Sequence, residues 1–318
     1  RILVNTTRCL RIENFLIAGF SNNMMNYRKY LKNWLLNHPW LNPYGFTKQR
    51  FYRNITSPIR ILPDFLIAGF NKSGTNSLFE YMGQHPNIKN ASRREIHYFT
   101  LSYWRGLNWY KSYFPTKIYK KKFEIKNKSK FLTGEATPHY IFHPLAIKRI
   151  KQLLPNVKLI IILRNPVDNA YSHYQHYKIG GVEKNTFEEA IEEDKQRYEI
   201  LEHLYNSDQV KEHSLKEVKM PYVSYATYVN HIKRLFEIFP RKQILFIKNK
   251  DLSKNPQIVL KDIFDFLQIK QYKIEDLKKH NIGKYENMNL ETRYELSEYF
   301  KPYNEELEEL LEMKFDWK

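Results

Sequence analysis

Short apolar runs alternate along this chain with longer stretches whose apolar positions recur at helical spacing. FLIAGF (Phe65 to Phe70), KFLTGEA (Lys130 to Ala136), KLIIILR (Lys158 to Arg164) and QILFIKN (Gln243 to Asn249) are expected as strands. The third is apolar almost throughout, as a strand covered on both faces should be. Between them, SLFEYMGQ, PLAIKRIKQLL and NPVDNAYSHYQHYK carry helical periodicity, the last with Pro166 near its start, where a missing N–H costs nothing. TFEEAIEEDKQRYEILEHLY opens with a Thr cap and a Glu three residues on, and is expected as one long helix. YVSYATYVNHIKRLFEIF and PQIVLKDIFDFLQI are expected as further helices, and ETRYELSEYFKPYNEELEELLEM as a helix interrupted at Pro302. Strands alternating with helices imply an α/β fold of three layers, a mainly parallel central sheet with helices on both faces.

FLIAGF also occurs at Phe15 to Phe20, followed by SNNMMNYR, a helical stretch NYRKYLKNWLL and the breakers of NHPWLNP. This segment is a partial echo of the strand-helix unit that starts at Phe65. The expected organisation is an N-terminal extension over residues 1–60 and one α/β domain over 61–318.

The loops at the ends of two strands carry the candidate chemistry. FNKSGTNSL joins a buried strand to a helix, where backbone N–H groups and the helix dipole favour an anion. Gly74 permits close backbone approach, Lys72 brings a charge, and Ser73, Thr75 and Ser77 bring hydroxyls beside Asn76. The lysine precedes the glycine, so the loop is P-loop-like but not that of a nucleoside triphosphatase. Arg164 leaves the next apolar strand at its carboxyl end, where ligands bind in open α/β sheets, and Ser172 follows on the helix after it. An arginine fork and a hydroxyl suit one phosphate.

Together these segments resemble the sulfotransferases that use 3′-phosphoadenosine 5′-phosphosulfate, in particular the branch acting on carbohydrates such as heparan sulfate. The resemblance implies that NKSGTNSL (Lys72, Ser73, Gly74, Thr75, Asn76 and Ser77) holds the 5′-phosphosulfate and that Arg164 and Ser172 hold the 3′-phosphate. RREIHYF is similar to the segment whose glutamate is the family's catalytic base, which implies that role for Glu95. His97 falls on the same side of an extended chain and is a candidate to orient the acceptor or assist Glu95. GEATPHYIFHP resembles the substrate-side strand and turn; its His139, Tyr140 and His143 are candidates to line the acceptor cleft, with turn and core roles the preferred reading. NIGKYENMNLETRYEL is similar to the terminal segment that closes over the nucleotide, which makes Lys284 a candidate for the 3′-phosphate. The likeness runs in consistent order from about Asp64 to Leu311. It departs at Asn169, where the family usually has arginine, and at Thr100, where heparan-type members commonly have an acidic residue.

The implied reaction is in-line sulfuryl transfer to a hydroxyl or amine of a carbohydrate, with no metal, since no His/Cys cluster has ligand spacing. Sulfation of a protein tyrosine or small-molecule alcohol stands as an alternative. So does a non-catalytic binder of acidic polysaccharide or nucleic acid, because the net charge is +18. A kinase is disfavoured by the loop order. The single cysteine, Cys9, allows no internal disulfide and favours a cytoplasmic setting, with a Golgi lumen the alternative if an N-terminal anchor has been lost. No stretch approaches the roughly 20 consecutive apolar residues of a membrane span.

The first FLIAGF is followed by neither lysine nor glycine at the loop position, so it is expected to take no part in the anion site. Deletion of residues 1–50 should leave nucleotide binding unchanged by calorimetry; a folded truncation that no longer binds would overturn this.

Overall fold

The structure, a computed structural model, describes residues 48–207, 219–278 and 285–317. The first FLIAGF and Lys284 lie outside them. The chain divides after Ile55, and helix α1 (Lys48–Ile55) is the described part of the first unit. All that follows concerns the second unit, Thr56–Lys318.

Its centre is a four-stranded, wholly parallel sheet of β1 (Phe65–Ile67), β2 (Gly134–Ala136), β3 (Lys158–Leu163) and β4 (Ile244–Lys248), in the order β2-β1-β3-β4. Successive side chains of a strand point to opposite faces, so β1 and β3 each feed two cores. Leu66, Leu159, Ile161 and Leu163 face one core, where α5 (Pro144–Leu153), α6 (Pro166–Ile179) and α10 (Tyr228–Phe236) bring Ile150, Val167, Ala170 and Ile232. Phe65, Ile67, Ile160 and Ile162 face the other, against Leu78 and Met82 of α2 (Thr75–Gly83) and Leu260, Ile263 and Phe264 of α12 (Pro256–Leu267). The expected three-layer arrangement is thus present. The remaining helices are α3 (Gly106–Lys111), α4 (Lys117–Asn127), α7 (Phe187–Glu192), α8 (Asp194–Asn206), α9 (Tyr222–Ala226), α11 (Asn249–Lys254) and α13 (Leu290–Leu311). Among the described residues no helix is long and apolar enough to cross a membrane.

Several expected elements differ, each for a local reason. The strand in FLIAGF ends at Ile67 because the chain crosses β3 closely at Gly69, where a Cβ would stand 2.9 Å from the Ile162 nitrogen. The expected long helix from Thr186 breaks at Glu193 into α7, which does carry the capping box of Thr186 and Glu189, and α8. At that junction buried Asp194 accepts from the backbone N–H groups of Val223 and Ser224, so its carboxylate caps α9 instead of facing solvent. The next expected helix breaks at Thr227, whose hydroxyl bonds back to the Val223 carbonyl at 3.0 Å. Conversely, α13 runs through Pro302 without interruption, because Leu296, Phe300, Leu307 and Leu311 bury one stripe on both sides of it.

In this order β1 and β3 are neighbours whose onward connections run to opposite sides. The carboxyl ends of this pair form the crevice where open α/β sheets place ligands. The edge strand β2 fits only because residue 134 is glycine: a Cβ there would meet the Phe65 ring at 2.3 Å. Gly134→Ala should therefore destabilise the protein by about 1–3 kcal/mol, read by urea denaturation, and an unchanged midpoint would contradict this packing.

Candidate active site

The loop between β1 and α2 is held by its carbonyls. Asn169 of α6 donates to Asn71 O at 2.7 Å, Arg164 Nη1 to Lys72 O at 3.0 Å, and Asn249 Nδ2 to Ser73 O at 2.8 Å. A trans peptide directs its N–H opposite to its C=O. Fixing three successive carbonyls on one side therefore turns the N–H groups of Lys72, Ser73 and Gly74 to the other. Lys72 at φ 63° and Gly74 at φ 100° give the alternating left-handed backbone of an anion nest. The first helical bond of α2 runs from Leu78 N to Gly74 O, so the amides before Leu78 belong to the open helix end. A side chain at 74 would press on Asn249, with its Cβ 3.0 Å from Nδ2.

This loop forms one wall of a cleft of about 1150 Å³. Lys72, Gly74, Thr75, Asn76, Ser77, Arg164, Ser172, Glu95 and His97 all line it. Ser73 does not: its buried hydroxyl accepts from Asn169 Nδ2 at 3.1 Å and is part of the loop's anchorage. Asn165 caps α6 by accepting from Val167 N and Asp168 N, with Pro166 in the first turn, and this sets the rotation that brings Ser172 to the cleft. Burial and the Arg164 charge lower the pKa of Lys72, while Glu95 partly opposes them. Two cations held this close are stabilised by an anion between them.

The opposite wall carries Glu95 and His97, and the expected extended backbone is absent there. Both residues have positive φ, 50° and 54°, a conformation that costs non-glycine residues about 1–3 kcal/mol each. The two side chains still meet, because both turn toward the cleft: His97 Nε2 lies 3.7 Å from Glu95 Oε2, with the carboxylate side chain 47 % exposed and the imidazole 20 %. The His97 imidazole beside it holds the Glu95 carboxyl below the usual carboxylate range, against an upward push from burial. His176 and Arg94 add to the lowering.

His143 and Tyr140 are structural, as read from sequence. His143 caps α5 through Nδ1 and stacks on Tyr205, and Tyr140 is buried. His139 is also buried, bonded to the Tyr205 hydroxyl at 2.6 Å, yet it borders the cleft. Burial holds its pKa well below the ordinary histidine value.

Sequence reasoning missed four contributors. Asn249 stands at the carboxyl end of β4, the place where strand-end residues meet ligands, and that position was the available signal. His176 lies one turn beyond Ser172 on the same helix face and lines the cleft, as does Tyr177. Tyr285 lines it as well, its ring 5.7 Å from Tyr171. Among the described residues no cluster of His, Cys, Asp or Glu could hold a metal ion.

Asn169→Leu removes the amide donor to Asn71 O and Ser73 Oγ and leaves a partly buried carbonyl without that partner. A loss of about 1–3 kcal/mol by denaturation, with faster hydrogen exchange at amides 72–77, is expected; unchanged exchange would show that the loop does not depend on this contact.

The Sulfotransferase domain family model matches residues 62–305. The membrane-associated sulfotransferase kil1 of Dictyostelium discoideum is 29 % identical, over 80 % of this chain and 66 % of its own length. A bifunctional heparan sulfate N-deacetylase/N-sulfotransferase 1 of Caenorhabditis elegans is 28 % identical, over 77 % of this chain and 27 % of its own. The chain thus spans just under two thirds of the first relative and about a quarter of the second. A crystal structure of a sulfotransferase from Alicyclobacillus acidocaldarius superposes with a TM-score of 0.60 at 25 % identity, covering 80 % of this chain and 97 % of that one. With the matched segment spanning both the anion loop and the Glu95 wall, the chain belongs to the sulfotransferase domain family.

Proposed function

We propose that this protein transfers a sulfuryl group from 3′-phosphoadenosine 5′-phosphosulfate to a hydroxyl or amine of a carbohydrate, with Glu95 as the base. The observation that carries the reading is the convergence of Lys72, Arg164 and Ser172 with Glu95 on one cleft. A non-catalytic binder using a diffuse basic face does not require that convergence.

The residues fit the donor nucleotide. The outward amides of Lys72 to Gly74 and the start of α2 suit the 5′-phosphosulfate, and the glycine leaves room for its close approach. Arg164 spends one donor on Lys72 O and has four more for a 3′-phosphate beside the Ser172 hydroxyl. When bound, the nucleotide supplies the sulfuryl group. Lys72 and the loop amides place fixed positive charge where negative charge grows on the departing oxygen, and they do so without rearrangement because the loop is already pinned. Glu95 takes the proton of the acceptor, and His97 orients the carboxylate. Arg93 and Arg94 at the lip of the cleft suit an acidic sugar chain, and relatives named as heparan sulfate N-sulfotransferases support that acceptor class. His139 and His176, with pKa values lowered by burial, offer neutral polar contacts deeper in.

Calorimetry with 3′-phosphoadenosine 5′-phosphate should show binding that weakens about 10- to 100-fold in Arg164→Ala, the loss of a charge-assisted contact. Absence of binding by folded wild type would contradict the reading. In a sulfation assay with heparan-type oligosaccharides, Glu95→Gln should lose about 10²- to 10⁴-fold in kcat while still binding the nucleotide. The acid limb of kcat/KM should lie below the ordinary carboxylate range, and His97→Ala should move it upward, because removing the neighbouring imidazole removes the main cause of the lowering. A limb unmoved by His97→Ala would assign the base elsewhere.

A further inference from the structure

We propose that Glu135, on the edge strand β2, is a positioning residue that fixes the backbone presenting Glu95 and His97. This rests on the assignment of that pair made above. Glu135 is fully buried, and among the described residues no lysine or arginine pairs with it. A carboxylate in that setting is kept only where its oxygens are satisfied. Here Oε1 accepts from the Tyr110 hydroxyl at 2.6 Å and the Tyr140 hydroxyl at 2.9 Å, and Oε2 accepts from the Thr137 hydroxyl at 2.8 Å.

Each of those three groups reaches the 95–98 segment. Thr137 Oγ1 accepts from His97 N at 3.4 Å, and the Tyr140 hydroxyl accepts from Tyr98 N at 3.1 Å. Tyr110 stacks on Tyr98 with ring centroids 4.3 Å apart and an interplanar angle of 8°. Glu95 N itself bonds to the carbonyl of Ala136, the residue after Glu135, at 2.8 Å. An ionised carboxylate only accepts, so it commits the single O–H of Thr137 and of Tyr140 inward. Their lone pairs then face the amides of His97 and Tyr98. Without that acceptor the hydroxyls rotate, and two struts under a strained backbone are lost. Burial pushes the Glu135 carboxyl upward in pKa, while the three hydroxyl donors favour its ionised form.

Glu135→Gln keeps the shape but places an amide donor against hydroxyls that already donate. The readout is the titration of the Glu95 carboxyl by NMR of protein labelled at the Glu carboxyl carbons, assigned with Glu95→Gln. The groups that influence this carboxyl are Arg94 and His97 on its own segment, Lys72 on the loop, His176 and Tyr177 on α6, and Tyr225 on α9. Only the His97 contact is set by the Glu135 struts. In the variant the Glu95 titration should move upward toward the ordinary carboxylate value. Binding of 3′-phosphoadenosine 5′-phosphate should stay within twofold, since the nucleotide loop is anchored by other residues.

Should Glu135→Gln fail to fold, Thr137→Val and Tyr140→Phe each remove one strut and should each give part of the shift, with Thr137→Ser restoring it. Wild-type protein that does not bind the nucleotide would overturn the functional reading and with it the role assigned to the pair. Wild type that binds, with a Glu95 titration unmoved in Glu135→Gln, Thr137→Val and Tyr140→Phe, would overturn this inference alone.

Discussion

Three side chains hydrogen-bonded to three consecutive carbonyls fix the shape of the loop between β1 and α2, on which the proposed anion site depends. Asn169, Arg164 and Asn249 arrive from α6, from the end of β3 and from the end of β4, and together they set the direction of the peptide planes between Asn71 and Gly74. The cost of arranging those dipoles is met during folding, by elements whose positions the two cores fix. Charge at the site is then preorganised. Asn169 also bears on a departure from the family pattern: at a position where arginine is usual, its short amide turns to the loop backbone and Ser73 and adds no charge.

The cleft has two walls held by different means. The loop wall is fixed from behind by amide and guanidinium donors at the sheet's carboxyl edge. The Glu95 wall has no strand of its own and hangs from β2 and the turn after it, through one carbonyl, one threonine and two tyrosines that converge on Glu135. This separation lets each wall be perturbed alone. Under the proposed assignment, a change in nucleotide affinity reports on the first, and a change in the ionisation of Glu95 reports on the second. The edge position of β2 matters for the same reason, since a three-residue strand accommodates the buried carboxylate on one face and the Phe65 ring against Gly134 on its neighbour.

Much of this was legible along the chain. The apolar run at Lys158 to Leu163 marks a doubly covered strand, and the polar residues at its end and after the Phe65 run mark the ligand edge. The Thr186 cap and the proline at the start of α6 could be read as well. What escaped depended on contacts distant in sequence. Glu135 sits inside an apolar stretch, and only the fold shows that tyrosines 25 residues before it and 5 after it supply hydroxyl donors. The helix breaks at Glu193 and Thr227 arise from side chains bonding to backbone, which periodicity does not register, and the passage of α13 through Pro302 reflects tertiary burial overriding a local preference. The turn at Glu95 and His97 could not be foreseen, since neither residue favours positive φ. Their side chains nevertheless meet, by a route different from the alternation of a strand.

The most direct test of the preorganised loop is a crystal structure of the protein with 3′-phosphoadenosine 5′-phosphate, compared with the free protein. The account predicts the 5′-phosphate on the amides of the Lys72 to Ser77 segment and the 3′-phosphate on Arg164 and Ser172, with the contacts from Asn169, Arg164 and Asn249 to the loop carbonyls intact in both states. A nucleotide bound elsewhere, or a loop that reaches its bound form only by breaking those three contacts, would contradict it.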